Sequence, residues 1–168
     1  LIYPTYFPSI ATMVAMANAD KITLEAEDNY QKQTYRNRAY IAHSNGKLLL
    51  NIPIKHSKNT LHQKTKDVIP ENNFPWLAEH WKSIQAAYKT SPYFEYYEDD
   101  LLPLFKNPVI GLQDFNIKIV ETIAEIIGLE AEIQKTNSYQ KETSLQDLRH
   151  LVNSKKEPHH DFTRYHQV

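Results

Sequence analysis

An α/β fold in one domain, with a mixed sheet and flanking helices near residues 9–19, 75–89 and 112–127, is what the sequence predicts. Three observations predict it. The opening reads as extended segment, helix, strand, an order that favours a crossover in an α/β layout. Asn45-Gly46 between two apolar runs is a strong hairpin signal. Two later segments repeat bulky apolar residues at spacings of three and four, the period of a one-sided helix.

Residues 1–8 form a short extended piece that ends in a Pro-marked turn. Ser9 then stands where an N-cap belongs, and Ile10, Met13, Val14 and Ala17 share the apolar face of a helix. "KITLEAE" alternates like a strand, so Glu25 and Glu27 are predicted on an exposed strand face. "YIAH", "SNGK" and "LLLNIPI" make the hairpin. Residues 55–73 read as a long loop with one short strand near Val68. Pro75 opens the second helix, whose face is Trp76 or Leu77, then His80, Trp81, Ile84 and Tyr88. Asp99 and Asp100 are placed to cap a short helix through Phe105. Leu112, Phe115, Ile119, Ile123 and Ile126-Ile127 make the clearest stripe, with Gly128 at its stop. "EAEIQKT" reads as a last strand, and residues 137–168 carry no sustained period.

Composition removes several functional classes. The chain has no Cys, which excludes disulfides, Cys-based zinc sites and thiol nucleophiles. Three Gly are too few and too scattered for a phosphate loop or a dinucleotide fingerprint. A formal net charge of −1 gives no global field toward nucleic acid. No apolar run is long enough for a membrane span. The start lacks a basic n-region, and Pro4 and Pro8 interrupt it, so no signal peptide is predicted and the cytoplasm is the expected location. Oligomeric state and cofactor are not indicated.

The most unusual stretch is residues 28–38, "DNYQKQTYRNR", which contains no aliphatic side chain. As a strand it would put Asp28, Tyr30, Lys32, Thr34, Arg36 and Arg38 on one face. As a helix it would make Lys32 and Arg36 neighbours. Either way three cations cluster around one carboxylate. Arg suits carboxylate and phosphate through its two-pronged donor edge. One reading is a pocket for an anionic, hydroxyl-rich small molecule. Lys32, Arg36 and Arg38 would then hold the anion and Asp28 would orient or deprotonate an acceptor. Tyr30 and Tyr35 would stack or hydrogen-bond, with Gln33 and Asn37 beside them. The rival readings are a solvated hairpin with surface ion pairs and a buried network that orders the sheet. Beside Arg, Asp28 is expected to keep a low pKa.

Other candidates carry less. His159, His160, Asp161 and His166 lie close in the tail but lack the spacing of a metal site, so no metal is predicted. Lys55, His56, Lys58, His62, Lys64 and Lys66 form a basic loop without a nucleic-acid-binding signature, so no nucleic acid is expected. Trp81 and Tyr88 belong to the core, whereas Tyr96-Tyr97 beside Glu95 and Glu98 suit an exposed aromatic surface.

Together these blocks resemble the WbqC-like protein family, in its Bacteroides-type versions, along nearly the whole chain. The resemblance runs from Tyr3-Pro4-Thr5-Tyr6-Phe7-Pro8 through Asp28 and Tyr30-Gln31-Lys32-Gln33-Thr34-Tyr35-Arg36-Asn37-Arg38, its most specific motif. It continues with Ile52-Pro53, Lys66, Trp81, Tyr88 and Pro92-Tyr93-Phe94-Glu95-Tyr96-Tyr97. Leu112, Asp114-Phe115-Asn116, Asp147 with Arg149, and Tyr165-x-Gln167-Val168 complete it. The family's opening often carries Gln or Thr where this chain has Tyr3. Family members continue beyond the Tyr-x-Gln-Val match, so residues 1–168 are expected to be one such domain, short of its C-terminal segment and, since the chain begins on Leu1, of its first residues. The resemblance implies a step in bacterial O-antigen or surface-polysaccharide biosynthesis. It also implies transfer of a small group, aminoacyl (such as glycine) or acyl, or handling of a sugar donor. The alternative is a non-catalytic module that binds protein or glycan.

Overall fold

The computed structural model describes residues 1–55, 62–155 and 160–163. Among the described residues parallel and antiparallel strands both occur, in two sheets of two strands, with four α-helices around them. In chain order the elements are α1 (Ile10–Ala17), β1 (Lys21–Leu24), β2 (Arg38–His43) and β3 (Gly46–Asn51). Then come α2 (Trp76–Tyr88), α3 (Phe94–Leu101), α4 (Leu112–Ile126) and β4 (Glu132–Lys135). The three expected helices are α1, α2 and α4, and the fold class is α/β.

β1 runs parallel to β4, with Lys21 opposite Glu132 and Leu24 opposite Lys135. Ile2 forms a parallel bridge with Leu24 from the other side, so three chain segments lie side by side in one direction. β2 and β3 make the hairpin, His43 opposite Gly46. Gly46 has φ +107°, a backbone state that L side chains rarely adopt, which is why the Asn-Gly signal located the turn.

α4 holds the fold together because it is buried on two sides. Leu112, Phe115 and Ile119 enter the larger core with Tyr6, Ile52, Val68, Trp76 and Ile84. Ile117 and Val120 enter a second core with Ile2, Met16, Ile22 and Leu24. At 3.6 residues per turn, Gln113 and Asn116 fall on the arc toward this second stripe, and both are buried. The apolar period identified the first stripe alone.

Four local expectations are corrected. Ser9 does cap α1, accepting the Thr12 N–H at 3.3 Å, but the buried face is Ala11, Thr12 and Met16. Ile10 and Val14 are exposed. "IATMVAMA" is apolar almost all round, so its period does not fix which side packs. Asp99 and Asp100 do not cap a helix; they lie inside α3, which starts at Phe94 and passes into a 3-10 turn, Leu102–Phe105, containing Pro103. Near Val68 there is no strand but a 3-10 turn, Thr65–Asp67. Val68 is buried, and the pairing nearby among the described residues consists of isolated antiparallel bridges, Asn29 with Lys64 and Ile54 with Pro70. The alternating stretch after Lys21 also differs, because Ile22, Thr23 and Leu24 are all buried, as in a strand covered on both faces.

Candidate functional site

Residues 28–37 form neither strand nor helix but a succession of turns leading into β2. Backbone groups without a ladder must find other partners when buried. Here distant elements supply them. The Tyr6 N–H donates to the Tyr35 carbonyl, and the Tyr35 N–H donates to Val152, both at 2.8 Å. Asn116 of α4 donates to the Arg36 carbonyl at 2.7 Å and to the Pro4 carbonyl at 3.4 Å. The Asn37 amide reaches the Ile52 carbonyl at 3.2 Å. Ser154 donates to the Gln33 carbonyl at 2.8 Å.

The turns divide the block into an inner and an outer set. Inside, Arg36 is 1 % exposed and Asp28 is 2 % exposed. Arg36 Nε and Nη2 both reach Asp28 Oδ2, at 2.8 and 2.6 Å. The Arg36 guanidinium also covers the Tyr3 ring, 4.1 Å from its centre. Asp28 Oδ1 has no hydrogen-bond partner among the described residues. Burial pushes the Asp28 carboxyl up from the ordinary carboxylate range, and Arg36 pulls it back without cancelling that shift. The expected low pKa is therefore reversed, because desolvation outweighs the neighbouring charge. Tyr35 is also buried, edge-on to Tyr40.

Outside, Tyr30, Lys32, Gln33, Asn37 and Arg38 line one cleft of about 300 Å³. Asn51, Lys55 and Gln63 complete its polar wall, over a floor of Ile52, Pro53 and Ile54. Lys32, Arg38 and Lys55 thus face one space, and among the described residues no carboxylate lines it. Among the described residues none of these three is in an ion pair. Arg38 Nε donates to Asn51 Oδ1 at 3.3 Å. Asn37 Oδ1 is buried without a partner among the described residues. Gln33 sits at φ +61°, a strained state for a residue with a side chain, of the kind that clusters at binding sites. Burial pushes the Tyr30 phenol up to about 12 against the pull of Arg36 and Arg38, so it stays a hydrogen-bond donor.

The candidate residues therefore do not converge on one space: Asp28, Arg36 and Tyr35 are absent from the lining of this cleft. Asn51, Lys55 and Gln63 were missed as cleft residues. Lys55 was visible only as part of a basic loop, and nothing local distinguishes it from Lys64 or Lys66.

Glu25 is corrected outright. It is fully buried, not on an exposed face. It accepts the Thr136 hydroxyl at 2.7 Å and the Gln140 N–H at 2.9 Å, with Arg149 Nη1 at 3.7 Å. Glu27 pairs with Lys66 at 2.9 Å. Trp81 and Tyr88 pack against the larger core, as expected. Tyr93, Tyr96 and Tyr97 are exposed. His160 stacks on Phe162, and His159 and His166 lie outside the described residues, as do His56, Lys58, Tyr165, Gln167 and Val168. Among the described residues no helix is long and apolar enough to cross a membrane.

Comparison with known proteins places the chain. It is similar to Uncharacterized protein Rv1507c of Mycobacterium tuberculosis, 21 % identical over 141 residues. That match covers 83 % of this chain and 60 % of the relative, so the chain spans well under the relative's full length. No solved structure matches it. The model of the WbqC-like protein family matches residues 3–162, which include the polar block and, apart from Ile2, both cores, and the chain belongs to that family.

Proposed function

We propose that the chain holds an anionic, hydroxyl-rich donor, a phosphorylated or otherwise activated sugar, for a small-group transfer in bacterial surface-polysaccharide biosynthesis. The observation that carries this is the cleft in which Lys32, Arg38 and Lys55 converge with no carboxylate among the described lining residues. Three cations with amides and a phenol between them match a phosphate flanked by hydroxyls. Lys32, Arg38 and Lys55 bind the anion, Gln33, Asn37 and Gln63 bind hydroxyls, and Tyr30 donates or stacks. A cleft of about 300 Å³ is at the small end of ligand sites, which favours a sugar phosphate over a whole nucleotide sugar. Asp28 and Arg36 support the turns beneath; in this reading Asp28 orients the site rather than acting as the base. A second reading, a protein- or glycan-binding module, rests on the exposed rings of Tyr93, Tyr96 and Tyr97.

The test is a thermal-shift series with inorganic phosphate and sugar 1-phosphates. A ligand at a hundred times its Kd stabilises by about 2.7 kcal/mol, or roughly 5–10 °C for a chain of this length. Wild type should gain that shift, and Lys32→Ala/Arg38→Ala should melt like wild type and gain none. An equal shift in the double variant, or no shift in wild type with any of these ligands, overturns the proposal.

A further inference from the structure

A groove of about 510 Å³ lies where β2, α2, α3 and the end of α4 meet. Ile84 and Phe94, both buried, line it together with the exposed side chains of Tyr93, Tyr97 and Ile127. Among the described residues no charged side chain lines it. Apolar surface collected in one concave place, with a polar rim, marks an interaction site rather than chance exposure.

The rim is acidic. α3 carries Glu95, Glu98, Asp99 and Asp100 and no base. At 3.6 residues per turn, Phe94, Tyr97 and Leu101 form the stripe that faces the groove. Glu98 falls on one side of that stripe, with Glu95 and Asp99 beyond it, and Asp100 falls on the other. Among the described residues none of the four is in an ion pair, and Glu98 only accepts from the Gln85 amide, at 2.7 Å. Asp99 and Asp100 also stand in the last turn of α3, where the helix dipole opposes a carboxylate. The fold itself gains nothing from acids in that place. α2 and α4 end at the groove as well, at Tyr88 and Ile126, so two negative helix poles adjoin it. Lys89, at the C-cap of α2, is the cation beside these ends, while Lys82 and Lys118 lie on the far arcs of α2 and α4.

This charge selects among occupants. A fatty acid or a phosphate-bearing lipid would bring a second negative charge to α3. A glycan needs convergent hydrogen-bonding groups. The lining offers only the hydroxyls of Ser91 and three tyrosines, and that of Tyr88 already accepts the Ala42 N–H at 3.1 Å. A second copy could bring α1, which exposes Ile10 and Val14 one turn apart, but "IATMVAMA" holds no charge to answer the acids. An amphipathic helix with a narrow apolar stripe flanked by Lys or Arg meets both the groove and its rim.

We propose that this groove docks a basic amphipathic helix of another protein, with Tyr97 and Ile127 as its apolar walls and the α3 carboxylates as its charged rim. This rests on the binding-module reading of the exposed rings and not on the anion cleft.

Fluorescence anisotropy tests it with a labelled helical peptide of about four turns, built of Leu and Lys with Leu at the i, i+3, i+4, i+7 positions. The same composition in scrambled order, the same pattern with Glu for Lys, and maltotriose as a competitor are the controls. The patterned Leu/Lys peptide should bind to saturation, more weakly as salt rises, and the controls should neither bind nor compete. Ile127→Asp and Tyr97→Ser, at exposed positions, should each weaken binding roughly tenfold with an unchanged melting temperature. Asp99→Asn/Asp100→Asn should weaken it about fivefold without lowering the melting temperature. Lys32→Ala/Arg38→Ala should bind the peptide normally. Equal binding of the scrambled peptide, or full affinity in Ile127→Asp and Tyr97→Ser, overturns the proposal. Binding of maltotriose in place of the peptide also overturns it and leaves a glycan module standing. A dimer in sedimentation that Ile127→Asp turns into a monomer assigns the groove to a second copy and overturns it too.

Discussion

Replacing Arg36 by Ala should damage the fold itself, although Arg36 belongs to the most polar stretch of the chain. The substitution leaves the Asp28 carboxylate buried beside nothing that neutralises it. Breaking a buried ion pair from one side costs about 3–5 kcal/mol. Arg36 also covers Tyr3, and losing that contact adds about 0.5–2 kcal/mol. A domain of this kind is stable by only about 5–15 kcal/mol in total. At roughly 2–4 °C per kcal/mol, the two losses together should lower the melting temperature by about 7–28 °C. The loss should also depend on pH. Without Arg36 the Asp28 carboxyl rises further, so between its unfolded value of about 3.9 and its folded value the native state binds more protons than the unfolded state. Stability then falls as pH rises through that window, and the deficit of Arg36→Ala is largest at neutral pH and shrinks in mild acid. Urea titrations at several pH values measure both effects. Asp28→Leu/Arg36→Met, which removes both charges and keeps the volume, should recover most of the loss. A cost below about 1 kcal/mol for Arg36→Ala, typical of an exposed pair, would refute this reasoning. So would a double variant as unstable as the sum of its singles.

Two further predictions concern the core and the hairpin. His80 is buried, its Nδ1 hydrogen-bonded to the Tyr6 hydroxyl at 2.8 Å, and burial lowers its pKa from 6.5 to about 4. Its contribution is complete above pH 6.5 and is lost as pH falls through about 4, a difference of about 3 kcal/mol; His80→Asn should lack that drop in urea titrations across the range. At Gly46 a new Cβ meets nothing within 4 Å, so the cost of Gly46→Ala is purely one of backbone conformation at φ +107°. That variant should lose more than about 1 kcal/mol in the same assay, and an unchanged midpoint would show that the turn can relax.

Much of the fold was legible where one local rule and the tertiary structure agree. Trp76, His80 and Ile84 recur on one face of α2 and are all buried there. Asn45-Gly46 fixed the hairpin because its geometry demands a positive φ. α1 shows the opposite case: with apolar residues all round, only Ile2, Ile22 and the second face of α4 decide which side packs. Glu25 was misread because alternation with Leu24 and Ala26 looks the same whether the carboxylate meets water or Thr136, which is 111 residues away. The polar block was legible as unusual but not as two sets. Lys32 and Arg36 are chemically alike and four residues apart, and one lines a cleft while the other is 1 % exposed.

What separates Lys32 from Arg36 is the backbone that carries them. A segment with no ladder and no apolar face gains nothing by itself from leaving water. It is drawn in because α4 offers Asn116 to the Arg36 carbonyl and Gln113 to the Ala26 carbonyl, at 2.7 and 2.9 Å. Val152 and Tyr6 fix Tyr35 from two other directions. Once Arg36 and Asp28 are inside, each needs the other, so the ion pair follows from the turns as much as it secures them. The same turns place Lys32, Gln33 and Arg38 on the outer side, where among the described residues neither Lys32 nor Arg38 has an ion-pair partner. The polarity of residues 28–38 therefore has two physical causes. The inner residues satisfy buried groups of a loop fixed by distant elements, and the outer residues present uncompensated charge on a base held by two cores. Preorganisation of that kind lowers the ordering cost of binding, which is the physical ground on which the cationic cleft is proposed as the ligand site.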